Sequence, residues 1–169
     1  MKNLYNIREA KEVYFNEIFN IQKSTYKDFA ETNEAVKSRL DISVKTCFVA
    51  RVKNEIVGYL LSHPWKVNLI PALNTVLDSI PLNTDCLYMH DLAIFKKNRK
   101  AGIGEALIKK GIDCAIRLGF IRINLIAIND YAKNFYKTLG FKAKRITHKD
   151  SITDLFAYGE SAEYMQLDL

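Results

Sequence analysis

The 169 residues are 49% hydrophobic and 26% charged, proportions that suit one globular domain over residues 1–169 and exclude a disordered or fibrous chain. The longest run free of Asp, Glu, Lys and Arg is Val67–Leu77, short of the ~20 apolar residues a membrane-crossing helix needs. The charged stretch Arg8–Glu17 is unlike a signal-peptide core, so a cytoplasmic protein without a membrane partner is expected.

Leu4–Arg8 predicts a short first strand, and Glu12–Tyr26 a helix with Val13, Ile18, Ile21 and Gln22 recurring on one face. A second helix is expected over Asn33–Leu40. Thr46–Arg51 and Ile56–Leu61 are apolar and β-branched, and Lys53-Asn54-Glu55 between them predicts an antiparallel hairpin. His63–Asp85 carries Pro64, Pro71, Pro81 and the only tryptophan, Trp65, without a regular period. It reads as a long excursion, and structureless segments of that length tend to be functional.

Cys86–Phe95 predicts a central strand interrupted by His90 and Asp91. Polar side chains there need partners or a cavity, because leaving them unsatisfied costs about 1–3 kcal/mol. Gly104–Leu118 predicts an amphipathic helix through Leu107, Ile108, Ile112, Ala115 and Ile116, stopped by Gly119. Strands over Ile121–Ile128, Phe141–Thr147 and Glu163–Leu169, with a helix over Tyr131–Leu139, complete a mixed α/β (α+β) domain. Cys47, Cys86 and Cys114 are odd in number and scattered, which predicts buried thiols and neither disulfides nor a metal site.

The formal charge of +6 is unevenly placed: Lys96, Lys97, Arg99, Lys100, Lys109 and Lys110 gather about one glycine-containing turn. That favours a localised anion site over a nucleic-acid groove, so no nucleic-acid partner is expected. The turn itself, Arg99-Lys100-Ala101-Gly102-Ile103-Gly104, joins a predicted strand to a predicted helix, an arrangement that offers backbone N–H groups and a positive helix end to phosphate oxygens. Taken alone, the hexapeptide serves equally well as a turn that merely starts a helix.

A second motif follows it. Asn129 stands at a strand end, Ala132 on the next helix and Tyr136 one turn later, ahead of Leu139-Gly140-Phe141. With Leu92-Ala93-Ile94 and Arg99–Gly104 upstream, this order resembles the GNAT superfamily of N-acetyltransferases from Thr46 to the end. The resemblance implies a central, mostly antiparallel sheet flanked by helices, and acetyl-CoA (coenzyme A) as cofactor. Leu92, Ala93 and Ile94 would then pair with the pantetheine arm, Arg99, Lys100, Ala101, Gly102, Ile103, Gly104 and Glu105 would bind pyrophosphate, and Asn129 would lie near the pantetheine. Tyr136 matches the tyrosine that protonates the departing thiolate, although a core aromatic beside Phe135 and Leu139 is the other reading of it.

An alkylammonium must lose a proton before it attacks. A glutamate that some members of the superfamily carry on the strand before the asparagine is replaced here by Asn124, which cannot serve as a base. Met89-His90-Asp91-Leu92-Ala93-Ile94 is similar instead to the Leu-Glu-Asp-Leu-Phe-Val pattern of diamine acetyltransferases, with His90 in the glutamate's place. An imidazole, whose ordinary pKa is about 6.5, suits a base at neutral pH, directly or through water. Asp91 is the rival, and a hydrogen-bonded structural pair is the alternative for both.

His63, beside Pro64 and Trp65, reads as a packing residue or a substrate contact, and His148 as a structural or exposed one. The amine acceptor, a small molecule or a peptide, would be chosen by the first two helices, including Gln22, Tyr26 and Glu31, and by the His63–Asp85 excursion, where Asp78 and Asp85 join Asp91 in suiting a cation. A homodimer would be unsurprising for the superfamily. A non-catalytic coenzyme A or nucleotide-binding module is the competing function.

Overall fold

The structure, a computed structural model, describes residues 4–169. Its strands are β1 (Asn6–Glu9), β2 (Phe48–Val52), β3 (Glu55–Trp65), β4 (Cys86–Ile94), β5 (Arg122–Ala127), β6 (Lys142–Ala143) and β7 (Glu163–Asp168). The helices are α1 (Phe15–Tyr26), α2 (Asn33–Ile42), α3 (Ile103–Arg117), α4 (Asp130–Thr138) and α5 (Lys149–Ala157). All seven strands form one sheet in the order β1-β2-β3-β4-β5-β7-β6. Every pairing is antiparallel except β4 with β5.

Side-chain alternation assigns each face its helices. Phe48, Leu60, Leu87 and Met89 face α3, whose Ile103, Leu107, Ile108 and Ala115 complete that core. The helix lies close, for a Cβ at Gly111 would come within 2.8 Å of Leu60 Cδ2. Val49, Tyr59, Leu61 and Ala93 face the other way, onto Ile18 and Ile21 of α1 and Val36 and Leu40 of α2. Thr32 starts α2, its Oγ1 accepting the Ala35 N–H at 3.3 Å.

The hairpin forms as expected, with Lys53-Asn54 as its two-residue turn and Lys53 in the left-handed region at φ 54°. Its second strand does not stop at Leu61 but runs to Trp65, so the excursion begins after Trp65. β2 begins at Phe48, opposite Leu60, and past Leu60 β3 is paired on the β4 side alone; on a strand with one free edge a proline such as Pro64 is tolerated.

Other expectations fail locally. Val13 falls in a 3₁₀ turn ahead of α1 and is exposed, and Ile116 lies on the solvent side of α3. The strand expected over Phe141–Thr147 shrinks to Lys142–Ala143, and the sequence reading lacked α5 altogether. That short helix buries only Ser151 among its own residues, so it carries too weak a hydrophobic period to announce itself. Cys47, Cys86 and Cys114 are buried free thiols, as expected.

Candidate active site

β4 and β5 are paired only from Leu87 to Met89 and from Ile123 to Leu125. Past Met89 the two strands have no ladder between them, while β4 stays paired with β3 as far as Ile94. The Phe95 N–H donates to Val57 O on the β3 side at 2.9 Å. By alternation the Leu92 and Ile94 amides point to the opposite, unpaired side. Their carbonyls are met there by side chains: Arg99 Nε donates to Ile94 O at 3.0 Å and Tyr26 OH to Leu92 O at 3.4 Å.

This opening leads to the start of α3. Lys100 and Gly102 both take left-handed backbone, at φ 66° and 76°, which brings the chain sharply around into the helix. Gly102 is the N-cap and has no side chain with which to cap. The N–H groups of Ile103, Gly104 and Glu105 therefore face outward as donors at the positive end of a 15-residue helix. Arg99, Lys100, Ala101 and Gly102 are exposed, and Glu105 pairs with Lys109 at 2.6 Å. A row of free strand amides continued by an uncapped helix start fits an elongated ligand ending in phosphates, as coenzyme A does.

On the other flank of β4 the register slips. Leu61 pairs with Asp91 and Ser62 with Met89, leaving His90 as the extra residue of a β-bulge. The bulge turns two consecutive side chains, His90 and Asp91, toward the α1–α2 face. Asp91 accepts hydrogen bonds from Tyr26 OH at 2.6 Å and from Tyr59 OH. Burial pushes its carboxyl up from the ordinary range, while the two hydroxyls and His90 pull it back.

His90 Nε2 lies 2.8 Å from Glu31 Oε2. Glu31 Oε1 in turn accepts from Arg39 Nη2 at 3.0 Å and from the Asn74 N–H at 2.9 Å. Burial works to raise the Glu31 pKa, but His90, Arg39 and the Asn74 amide outweigh it and hold the carboxyl at about 2. Arg39 is fully buried and also donates to the carbonyls of Ala35, Thr75 and Ala72. Thus α2 grips the excursion and holds it against the cluster.

His63, on β3, is fully buried among Trp65, Tyr88 and His90, with ring centroids 4.9, 5.7 and 6.3 Å away. Burial, followed by the charge of His90, lowers its pKa to about 3.

Of the predicted proton-transfer residues, Tyr136 packs against the α3-face core and His90 lies with Glu31 on the α1–α2 face. Tyr136 is half-buried on α4 against Phe135 and Phe141. Burial raises its phenol pKa and the Asp91 carboxylate adds to the effect. Asn129 is the N-cap of α4, its Oδ1 accepting the Ala132 N–H at 2.9 Å. Asn124 is buried in β5 and donates to Gln166 Oε1 at 3.2 Å. His90 and Asp91 do not bond to each other but to separate partners, so the structural pair entertained from sequence is absent. Asp78 and Asp85 stay outside the cluster, and Asp85 Oδ1 accepts the Val67 N–H.

The sequence places Tyr26 and Glu31 on the acceptor side without their contacts and gives no sign of Arg39 or Tyr59; for His63 the packing reading agrees with its burial against Trp65 and Tyr88. Pattern alone carried no signal for Arg39, whose spacing on α2 looks like that of any surface arginine.

The Acetyltransferase (GNAT) family matches residues 9–141. Among solved structures, the loading GNATL domain of CurA from Lyngbya majuscula is similar over 97% of both chains at 13% identity and a TM-score of 0.76. Arabidopsis thaliana Naa50, solved with the bisubstrate analogue CoA-Ac-MVNAL, is similar over 98% of this chain and 99% of its own at 14% identity and a TM-score of 0.71. N-acetylglutamate synthase from Neisseria gonorrhoeae, solved with coenzyme A and N-acetyl-glutamate, aligns over 98% of this chain and 35% of its own at 15% identity and a TM-score of 0.73. At such identities the likeness establishes a shared fold. A search of curated proteins finds no match.

Proposed function

The chain belongs to the acetyltransferase (GNAT) family, and on that premise we propose that it is an acetyl-CoA-dependent N-acetyltransferase, acting as one domain on the primary amine of a small molecule or peptide by direct attack. The observation that carries this reading is the parting of β4 from β5 after Met89, which leaves the Leu92 and Ile94 amides free beside the uncapped start of α3. Acetyl-coenzyme A, when bound there, would supply the thioester carbonyl that the acceptor attacks. Leu92, Ala93 and Ile94 hold the pantetheine along β4, and the backbone from Arg99 to Glu105 holds the pyrophosphate, with Lys100 adding charge.

His90 takes a proton from the acceptor ammonium, directly or through water, and leaves the nitrogen lone pair free to attack. Amides near Ile94 polarise the carbonyl as negative charge grows on its oxygen. As the new C–N bond forms and the C–S bond breaks, Tyr136 gives its phenolic proton to the departing sulfur, and the nitrogen, cationic after attack, loses one N–H proton that passes through water to restore the Tyr136 phenol. A raised phenol pKa suits that role by keeping the hydroxyl protonated. Asp91 serves less well as the base, since Tyr26 and Tyr59 already occupy its carboxylate.

A covalent route through cysteine has no support. Burial pushes the Cys47 and Cys86 thiols up to about 12 and also raises Cys114, which suppresses the thiolate a nucleophile needs.

The test is a panel of amines, amino acids and peptides assayed by free-thiol release from acetyl-CoA. Turnover with at least one acceptor class is expected, with kcat falling about 10²-fold or more in Tyr136→Phe. Tight coenzyme A binding without turnover on any class would instead mark a non-catalytic binding module.

A further inference from the structure

We propose that Glu31 is a positioning residue that fixes which nitrogen of His90 works as the base: it holds the proton on Nε2 and leaves Nδ1 bare to take the acceptor's proton. This rests on the reading of His90 as the base.

The argument starts from hydrogen-bond bookkeeping at the bulge. Glu31 Oε1 is occupied by two donors, Arg39 Nη2 and the Asn74 N–H, and Oε2 faces His90 Nε2 at 2.8 Å. With the Arg39 guanidinium and the Asn74 N–H both on Oε1, Glu31 is held as a carboxylate and can only accept. Nε2 must therefore donate. A neutral imidazole carries one N–H, so Nδ1 presents a lone pair.

Nδ1 is buried and has no hydrogen-bond partner among the described residues. An unmet buried acceptor costs about 1–3 kcal/mol; His63 Nε2 is bare and buried as well, but only His90 has its other nitrogen on a carboxylate. A bare acceptor nitrogen is what proton removal requires, and because Nδ1 is buried the proton reaches it through water rather than by direct contact with the acceptor.

The surroundings support the charge change. When an ammonium N–H bond breaks and the proton moves to Nδ1, the electron pair stays on the acceptor nitrogen and His90 becomes cationic. Glu31, already bonded to Nε2–H, offsets that charge without rearrangement. Around the imidazole stand Arg39 from α2, bound to the far oxygen of Glu31; His63 from β3; and Tyr88 and Asp91 from β4. Tyr158, which closes α5, completes the ring of groups through Tyr88. His63 does not compete for the proton, since burial holds its pKa near 3 and its Nδ1–H is turned to Pro64 O at 3.3 Å.

Two measurements decide the matter. Long-range ¹H–¹⁵N NMR of the full chain at alkaline pH should show His90 as the Nε2–H tautomer, and an Nδ1–H tautomer overturns the proposal. Glu31→Gln keeps the acceptor oxygen and removes the charge. It should shift the acid limb of kcat/KM about one pH unit or more toward acid and lower plateau kcat about 10-fold, with acceptor KM unchanged. An unshifted limb with full kcat overturns the proposal.

Because Glu31→Gln also strips Arg39 of its counter-charge, the tautomer measurement decides if that variant does not fold. His90→Ala separates the two readings. If it leaves kcat/KM intact, His90 is not the base; if it is damaging while Glu31→Gln is silent, only the role of Glu31 is lost.

Discussion

On the β5 side of β4 the site is made of backbone: the Leu92 and Ile94 amides, the left-handed turn through Lys100 and Gly102, and the first N–H groups of α3. On the α1–α2 side it is made of side chains, with Tyr26, Glu31, Arg39, Tyr59, His63, His90 and Asp91 drawn from helices, strands and connecting segments far apart in the chain. Backbone donors at a helix start arise from a few consecutive residues and bear substitution wherever the φ angles are kept. A buried ionic network depends on every member at once, because losing one leaves another charge unpaired. The two flanks of one strand should therefore respond very differently to mutation.

The largest expected difference is at Arg39. Arg39→Met removes the cation that faces Glu31 and the donors to Ala72 and Thr75 carbonyls, so it should cost about 3–5 kcal/mol of stability. For a domain whose total is about 5–15 kcal/mol, that is a large share, readable as a lower denaturant midpoint. Lys109→Ala, one turn along α3 from the Arg99–Gly104 segment, breaks only an exposed pair with Glu105 and should leave the midpoint where it was. Equal effects of the two substitutions would break the comparison.

The same contrast explains what could be read in advance. Arg99–Gly104 and the Asn129, Ala132 and Tyr136 spacing are local, and the glycines, the strand before them and the helix after them were all visible as sequence. His90 and Asp91 stood out as polar residues in an apolar strand, but their sharing of one face needed the bulge, which exists only against β3. Glu31 reaches His90 across 59 residues and Arg39 reaches Thr75 across 36, while His63 stacks near His90 from the neighbouring strand; the arginine's helix position does not mark it as buried. α5 was missed for a related reason: Ser151 accepts the Ile70 N–H and Tyr158 donates to Pro71 O, so the helix is held by polar contacts to the excursion more than by an apolar stripe.

A smaller effect is expected from pH. His63 has a folded-state pKa of about 3 against an ordinary 6.5, so below 6.5 the unfolded chain binds a proton the folded chain refuses. Its contribution is complete above 6.5 and is lost as pH falls toward 3. Between pH 7 and pH 5 the loss should be about 2 kcal/mol. Glu31, lowered from 4.5 to about 2, adds a second loss only below 4.5. Denaturation at pH 7 and at pH 5 should show this slope in the native chain and a flatter one in His63→Phe. An identical slope in both would place the pH sensitivity outside the side-chain flank.

The smallest effect sharpens the backbone flank. Asn129→Ala removes the oxygen that caps α4 and should cost about 1 kcal/mol. Asn129→Asp keeps a capping oxygen and adds a negative charge at a helix start, where it is favourable, but it loses the side-chain N–H₂, the donor that an asparagine near the pantetheine would offer it. If that amide group binds the cofactor, Asn129→Asp should melt like the native protein yet show a several-fold higher KM for acetyl-CoA with little change in kcat. If KM is unchanged, the work of Asn129 is confined to starting α4 at the right residue, and its value to the reaction lies in placing Tyr136 at the opening two turns further along.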